Sequence, residues 1–176
     1  MRKILIVVSL IGSLFVVSFA QPRPVPRFED YPAPIYKGKL APVSLSTRRA
    51  KVFRTVLREA AREGVNFAGH YALVSFGCGT ACTISAIVDV RNGRVFFPRA
   101  LDGWNNHIGE NWGVSRDEEI FQSRTKSRLL RAAGYPDATG ERENKPGTGG
   151  IYYYEWSNDR LRLVRFIRKP DLPSIG

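Results

Sequence analysis

The sequence predicts an α+β fold, in which an N-terminal amphipathic helix packs on a mainly antiparallel β-sheet made of a three-strand meander and a C-terminal hairpin. Two observations carry that expectation. Apolar residues recur at helical spacing across 46–64 and switch to alternation after Gly64. Two turn signals, Asn92-Gly93 and Asn158-Asp159, are each flanked by alternating segments.

The chain of 176 residues begins MRKILIVVSLIGSLFVVSFA. Arg2 and Lys3, the apolar run from Ile4, and the small residues Ser18 and Ala20 predict a secretory signal peptide over 1–20. The alternative is a retained anchor, since the run to Phe19 is long for a signal core and short for a full span. Cleavage would place the mature protein in the periplasm or outside the cell. It would take Arg2 and Lys3 away, lowering the formal net charge from +11 to about +9. A basic protein in that location is drawn to anionic envelope polymers, lipid headgroups or extracellular nucleic acid, or is merely kept soluble by its charge.

Segment 21–45, QPRPVPRFEDYPAPIYKGKLAPVSL, has almost no periodicity and many prolines, and is expected to be an extended arm. It is either loosely held or wrapped over the domain by Phe28, Tyr31 and Tyr36. One domain is expected over 46–168, followed by a tail, 169–176. Within that domain STRRAKVFRTVLREAAREG places Ala50, Phe53, Val56, Leu57, Ala60 and Ala61 on one helical face. Ser46 or Thr47 can cap its start and Gly64 can end it. At 100° per residue, Lys51, Arg54, Arg58 and Arg62 form a stripe on another side. Such a stripe is an ordinary solvated face or a surface for an anion.

The strands expected next are 71–76, 83–90 and 95–97. If the first two form a hairpin, its apolar faces meet when paired residue numbers sum to 160: Ala72 with Val88, Val74 with Ala86, Phe76 with Ile84. The same register sets Cys78 opposite Cys82 and predicts a disulfide between them, since opposed strand residues have the Cα spacing a disulfide needs. It also sets Tyr71 opposite Asp89, within reach of a hydrogen bond. His70 would lie at the far end of the strand, roughly 26 Å from Cys78, which argues against a local Cys/His dyad; it reads instead as a structural histidine satisfied by donating to a backbone carbonyl.

Segment 100–116, ALDGWNNHIGENWGVSR, reads as a long loop, and Trp104, Asn106, His107, Glu110 and Trp112 form a second candidate ligand surface. Its aromatic and amide groups suit a sugar, although tryptophans that cover the sheet and polar residues that shape turns are the commoner reason for such a segment. Segment 127–133 is expected as a strand, although its short pattern also fits the end of a helix from Asp117, and 134–150 is expected as a connection. In IYYYEWSNDRLRLVRFI, Ser157 should pair with Arg160, Trp156 with Leu161, Glu155 with Arg162 and Tyr154 with Leu163.

No nucleophile elbow, P-loop or dinucleotide fingerprint occurs in the sequence. Two histidines and a disulfide leave too few ligands for a zinc site, and no cofactor is expected. The segments NFAGHYALVSFGCGTAC, SRLL and IYYYEW resemble an uncharacterised family of exported bacterial proteins, over roughly residues 53–164. That resemblance implies export and a common domain and supplies no catalytic residues.

The expected function is that of an exported, non-enzymatic binding protein of the bacterial envelope, with an anionic polymer, a glycan or a protein as partner. One alternative is an envelope hydrolase using His70 or His107 with a cysteine or an acid. Another is an assembly factor that docks a partner by a sheet edge or by the proline-rich arm.

Overall fold

A computed structural model describes residues 24–79, 82–105, 120–136 and 148–170. The expected signal peptide lies outside the described residues. No described helix is long and apolar enough to cross a membrane.

The capped segment after the arm forms two helices, α1 (Arg48–Val52) and α2 (Arg54–Glu63). Thr47 supplies the cap, its hydroxyl accepting from the Ala50 N–H at 3.1 Å. Gly64 ends α2 at φ 102°, a conformation that favours glycine. Phe53, at φ −93° and ψ 19°, separates the two helices, so the single helix expected from the apolar spacing is interrupted after one turn.

The first two strands, β1 (Tyr71–Gly79) and β2 (Cys82–Asp89), pair antiparallel in the expected register from Tyr71 opposite Asp89 to Gly77 opposite Thr83. There the register slips by one. Gly79 faces Cys82, and Cys78 becomes the extra residue of a bulge. The Cys78–Cys82 disulfide forms across this bulge with a Cα separation of 5.1 Å. Closing so short a ring contributes about 2 kcal/mol through the unfolded chain. Denaturant unfolding with and without reductant should differ by about that amount; unfolding caused by reduction alone would contradict this reading.

Strand β3 (Val95–Phe96) continues the meander beside Ile87 and Val88. The connection is a longer loop than the two-residue turn expected at Asn92-Gly93. The Asp89 N–H donates to the Arg94 carbonyl at 2.9 Å, and the Gly93 N–H to the Asp89 carbonyl at 2.7 Å. The Asp89 carboxylate captures the Arg91 backbone N–H at 3.0 Å and so starts the turn early.

A two-residue strand, β4 (Trp104–Asn105), joins the meander to the rest of the sheet. It pairs with Cys82 and Thr83 on one side and with β6 (Leu129–Pro136) on the other. The short β5 (Phe121–Gln122) also pairs with β6. The last strands, β7 (Gly150–Ser157) and β8 (Arg160–Arg168), have all four expected partners opposite one another, around a turn with Asn158 at φ 51° and Asp159 at φ 58°. Positive φ at both central residues gives the twist a two-residue hairpin needs. The strand order is β1-β2-β4-β6-β7-β8, with β3 on β2 and β5 on β6.

The α+β expectation is therefore corrected. Of the described residues, 42% are in strands and 18% in helices, and α2 is the one helix of seven residues or more. The molecule is mainly an antiparallel β structure whose sheet includes β4, β5 and β6 as well as the meander and hairpin. The helical segment is a small element over part of the sheet and does not define the class.

Alternation along β1 and β2 separates two cores. Ala72, Val74, Ala86 and Val88 pack with Leu57, Ala60 and Ala61 of α2. On the opposite side Leu73 and Ile87 pack with Leu130, Ala132, Tyr152 and Trp156, so the sheet curls until its two halves face each other. The outer face of β6 and β7 is covered by Phe28 and Tyr31 of the arm.

Of the two readings of the arm, wrapping is the one observed. Backbone N–H groups of Ala33, Tyr36, Ala41 and Ser44 donate to the carbonyls of Lys126, Gly69, Val90 and Gly93 at 2.7–2.8 Å. Proline lacks the N–H needed for a continuous ladder, so the arm crosses the sheet through isolated bonds. This strap runs from the outer face of β6 and β7 to the start of α1.

Candidate functional site

The NFAGHY segment is first of all a structural turn. The Asn66 side chain imitates a neighbouring strand: its Oδ1 accepts from the Leu73 N–H at 2.7 Å, and its Nδ2 donates to the Leu73 carbonyl at 2.8 Å. Phe67 is fully buried. The Phe67 and Tyr71 backbones bond each other in both directions, closing a turn over residues 68–70. Ala68 at φ 43° and Gly69 at φ 81° make that turn possible.

The turn places His70 and Tyr71 in a cleft of about 310 Å³. Ala33 and Pro34 of the arm form one wall, and Arg91 from the β2–β3 connection another. Arg128, Trp156 and Asp159 complete it. Five stretches far apart in sequence thus meet where the arm crosses between the two halves of the sheet.

An ionic network surrounds the cleft. Tyr71 lies opposite Asp89 as expected, but its hydroxyl donates to Asp159 Oδ1 at 3.2 Å. Arg94 donates to the other Asp159 oxygen at 3.0 Å. Asp89, only 2% exposed, instead accepts from Arg91 Nε and Nη2 at 3.1 and 3.0 Å and from Asn92 Nδ2 at 3.0 Å. Arg128 and Arg162 share Glu155, each at 2.7 Å. Four guanidiniums thus meet three carboxylates, a local excess of one positive charge.

Burial, followed by the nearby Arg91 charge, lowers the His70 pKa, and Asp89 and Asp159 oppose the shift only partly. This favours the neutral ring, which lies tilted at 37° to the Tyr71 ring with centroids 4.1 Å apart. Burial also raises the Tyr71 pKa, which leaves its hydroxyl protonated, while the adjacent Trp156 N–H works in the opposite direction. His70 Nε2 and Trp156 Nε1 are both buried without a well-formed hydrogen bond.

The cationic face on α1 and α2 is the second candidate. Lys51, Arg54, Arg58 and Arg62 are all exposed. Among the described residues none of the four has a carboxylate partner. By contrast, Arg27, Arg49, Arg91, Arg94, Arg124, Arg128 and Arg162 each form an ion pair. Arg49, next to the stripe in sequence, is held by Asp102 at 2.6 Å and lies over the Phe97 ring. The interruption at Phe53 sets Lys51 on α1 and the three arginines on α2.

The tryptophan-rich candidate surface divides. Trp104 is fully buried, donates its indole N–H to the Ala100 carbonyl at 2.8 Å, and meets Phe121 and Tyr152 edge-on. It packs the core and leaves no ring face for a ligand. Asn106, His107, Glu110 and Trp112 lie outside the described residues. The disulfide leaves neither Cys78 nor Cys82 as a thiol, so the cysteine form of the hydrolase reading has no nucleophile.

Arg91, Arg128, Trp156 and Asp159 were not among the sequence candidates. Arg91 and Asp159 carried only turn signals, and Trp156 a cross-strand pairing. No local pattern announces that curling of the sheet brings those turns together.

No protein-family model matches the chain, and no curated protein or solved structure matches it.

Proposed function

We propose that the chain is an exported, non-enzymatic binding protein of the bacterial envelope that takes an anionic or glycan-like component on the face formed by Lys51, Arg54, Arg58 and Arg62. One observation carries this reading: these four cations stay exposed and without a carboxylate partner among the described residues, in a molecule that pairs seven other arginines. Arg48, Arg99, Lys126 and Arg160 are also exposed without a carboxylate partner among the described residues, and Glu59 and Glu63 flank the stripe, so it is the spacing of four cations along α1 and α2 that supports the reading. A polyanion gains from it by releasing counterions over several adjacent contacts.

The N-terminal charge and apolar pattern supports export, and a disulfide suits an oxidising compartment. The NFAGHY and GCGT motifs support a domain in common with the exported family they resemble. In the assembly-factor reading the arm would have to be free for a partner, whereas its backbone bonds the backbone of its own domain at five positions, through the N–H groups of Ala33, Tyr36, Ala41 and Ser44 and the Tyr31 carbonyl. Deleting it to test for partner loss would also strip the cover from β6 and β7.

Immobilised dextran sulfate provides a direct test. The triple variant Arg54→Ser, Arg58→Ser, Arg62→Ser should elute at clearly lower salt than wild type, with an unchanged Tm because the three side chains are exposed. Equal elution would refute the assignment of this face.

A further inference from the structure

We propose that the cleft at His70 and Trp156 is a binding site for an acidic sugar of monosaccharide size, with the carboxylate held by Arg91 and Arg128 and the ring hydroxyls by Asp159 and His70. The inference rests on the reading of the chain as an envelope binding protein and adds a site separate from the helix face.

The two arginines are preorganised. Arg91 is fixed through Nε and Nη2 on Asp89, and Arg128 through Nε on the Pro32 carbonyl and Nη1 on Glu155. Each keeps one terminal nitrogen, Arg91 Nη1 and Arg128 Nη2, without a partner among the described residues. A guanidinium already locked by two bonds loses little freedom when its remaining donor meets a carboxylate.

Asp159 favours a sugar acid over a phosphate. Asp159 lines the cleft, where its carboxylate, already accepting from Tyr71 and Arg94, repels a dianion and keeps lone pairs for hydroxyl groups. The neutral His70 ring offers one donor and one acceptor, the combination a hydroxyl complements. Its unpartnered Nε2 is buried in a network where the neighbouring charged groups are all bonded. Leaving such an atom unpaired is unfavourable, and a ligand hydroxyl that met it as the ring turned towards the cleft would supply its partner. Ala33, Pro34 and Ala68 add an apolar wall for the C–H face of a ring. The volume of 310 Å³ is at the small end of ligand pockets, which suits one ring and not a chain.

The test is calorimetric titration of the mature chain with D-glucuronate, with glucose, acetate and inorganic phosphate as separate probes. Saturable binding of glucuronate is expected, with each of the others at least about tenfold weaker. His70→Phe keeps a ring against Tyr71 and removes the unpaired nitrogen, so it should weaken glucuronate about tenfold while Tm stays level or rises. Ser157→Tyr fills the cleft from its rim and should abolish binding, which decides the matter if His70→Phe does not fold. The proposal is overturned if glucuronate does not saturate by about 20 mM, if phosphate binds as well, or if both folded variants bind like wild type. The triple serine variant of the helix face should bind glucuronate normally. Failure of glucuronate alone overturns the cleft and leaves the helix face standing, while failure of dextran sulfate alone does the reverse.

Discussion

Gly69→Ala is expected to lower stability by about 3 kcal/mol, a fall in Tm of about 10 °C for a domain of this size. Two costs add. Gly69 sits at φ 81°, where an L side chain is strained, and a Cβ there would overlap the backbone carbonyl of Pro34. That carbonyl cannot swing aside like the end of a flexible side chain, because the arm is tied on both sides by the Ala33 and Tyr36 N–H groups. Gly69 also donates to the Thr125 carbonyl at 2.7 Å and accepts from Tyr36 at 2.8 Å. The strain therefore falls on the junction of the arm, the NFAGHY turn and the segment leading to β6. Gly77→Ala is the control: its Cβ would only touch the Cys82 carbonyl at 4.0 Å, and its cost should be within about 0.5 kcal/mol. Thermal and denaturant unfolding of the two variants compares them directly. Equal costs would show that the arm does not press on the turn.

Asp89→Ala should cost about 2–3 kcal/mol, because it leaves the Arg91 and Asn92 donors beside a buried position without their acceptor. The lower end reflects Arg91, whose side chain is 45% exposed and can recover water. A pH signature separates this carboxylate from simple packing loss. Burial on its own would raise the Asp89 pKa, but hydrogen bonds and charge attraction from Arg91 outweigh it and hold the carboxyl below its ordinary value. The unfolded chain thus binds this proton more readily than the folded one. The stabilisation is complete above the unfolded value of about 3.9 and is lost as pH falls through it towards the lower folded value. The Tm difference between wild type and Asp89→Asn should accordingly shrink below about pH 4, while between pH 7 and 5 the loss of Asp89's support for charged His70 widens it slightly. A difference that goes on widening below about pH 4 would have the wrong sign.

The sequence is most legible where one face of a strand is apolar and a turn is short. Val74 against Ala86 and Trp156 against Leu161 follow from alternation, because a slip of one residue would turn every apolar side chain outward. The register predicted for Cys78 and Cys82 stops short of them: Gly77 and Gly79 have no side chain to enforce alternation, and a bulge intervenes. Trp104 and Asn105 form too short a strand to have a period, yet they join the two halves of the sheet. The helix break at Phe53 and the docking of the arm both depend on the backbone, which composition does not encode. The cationic face was visible in the spacing of Lys51, Arg54, Arg58 and Arg62. The cleft was not, since Pro34, His70, Arg91, Arg128 and Asp159 come together only when the sheet curls.

The most direct measurement is the salt dependence of dextran sulfate binding by the wild-type chain and by the Arg54→Ser, Arg58→Ser, Arg62→Ser variant. If the α1–α2 face holds the polymer, the logarithm of affinity falls steeply with the logarithm of salt for wild type. The slope for the variant should be smaller by about two to three, close to one for each charge removed. Superimposable lines for the two proteins would show that the polymer is held elsewhere, and the helix face would then be an ordinary solvated surface.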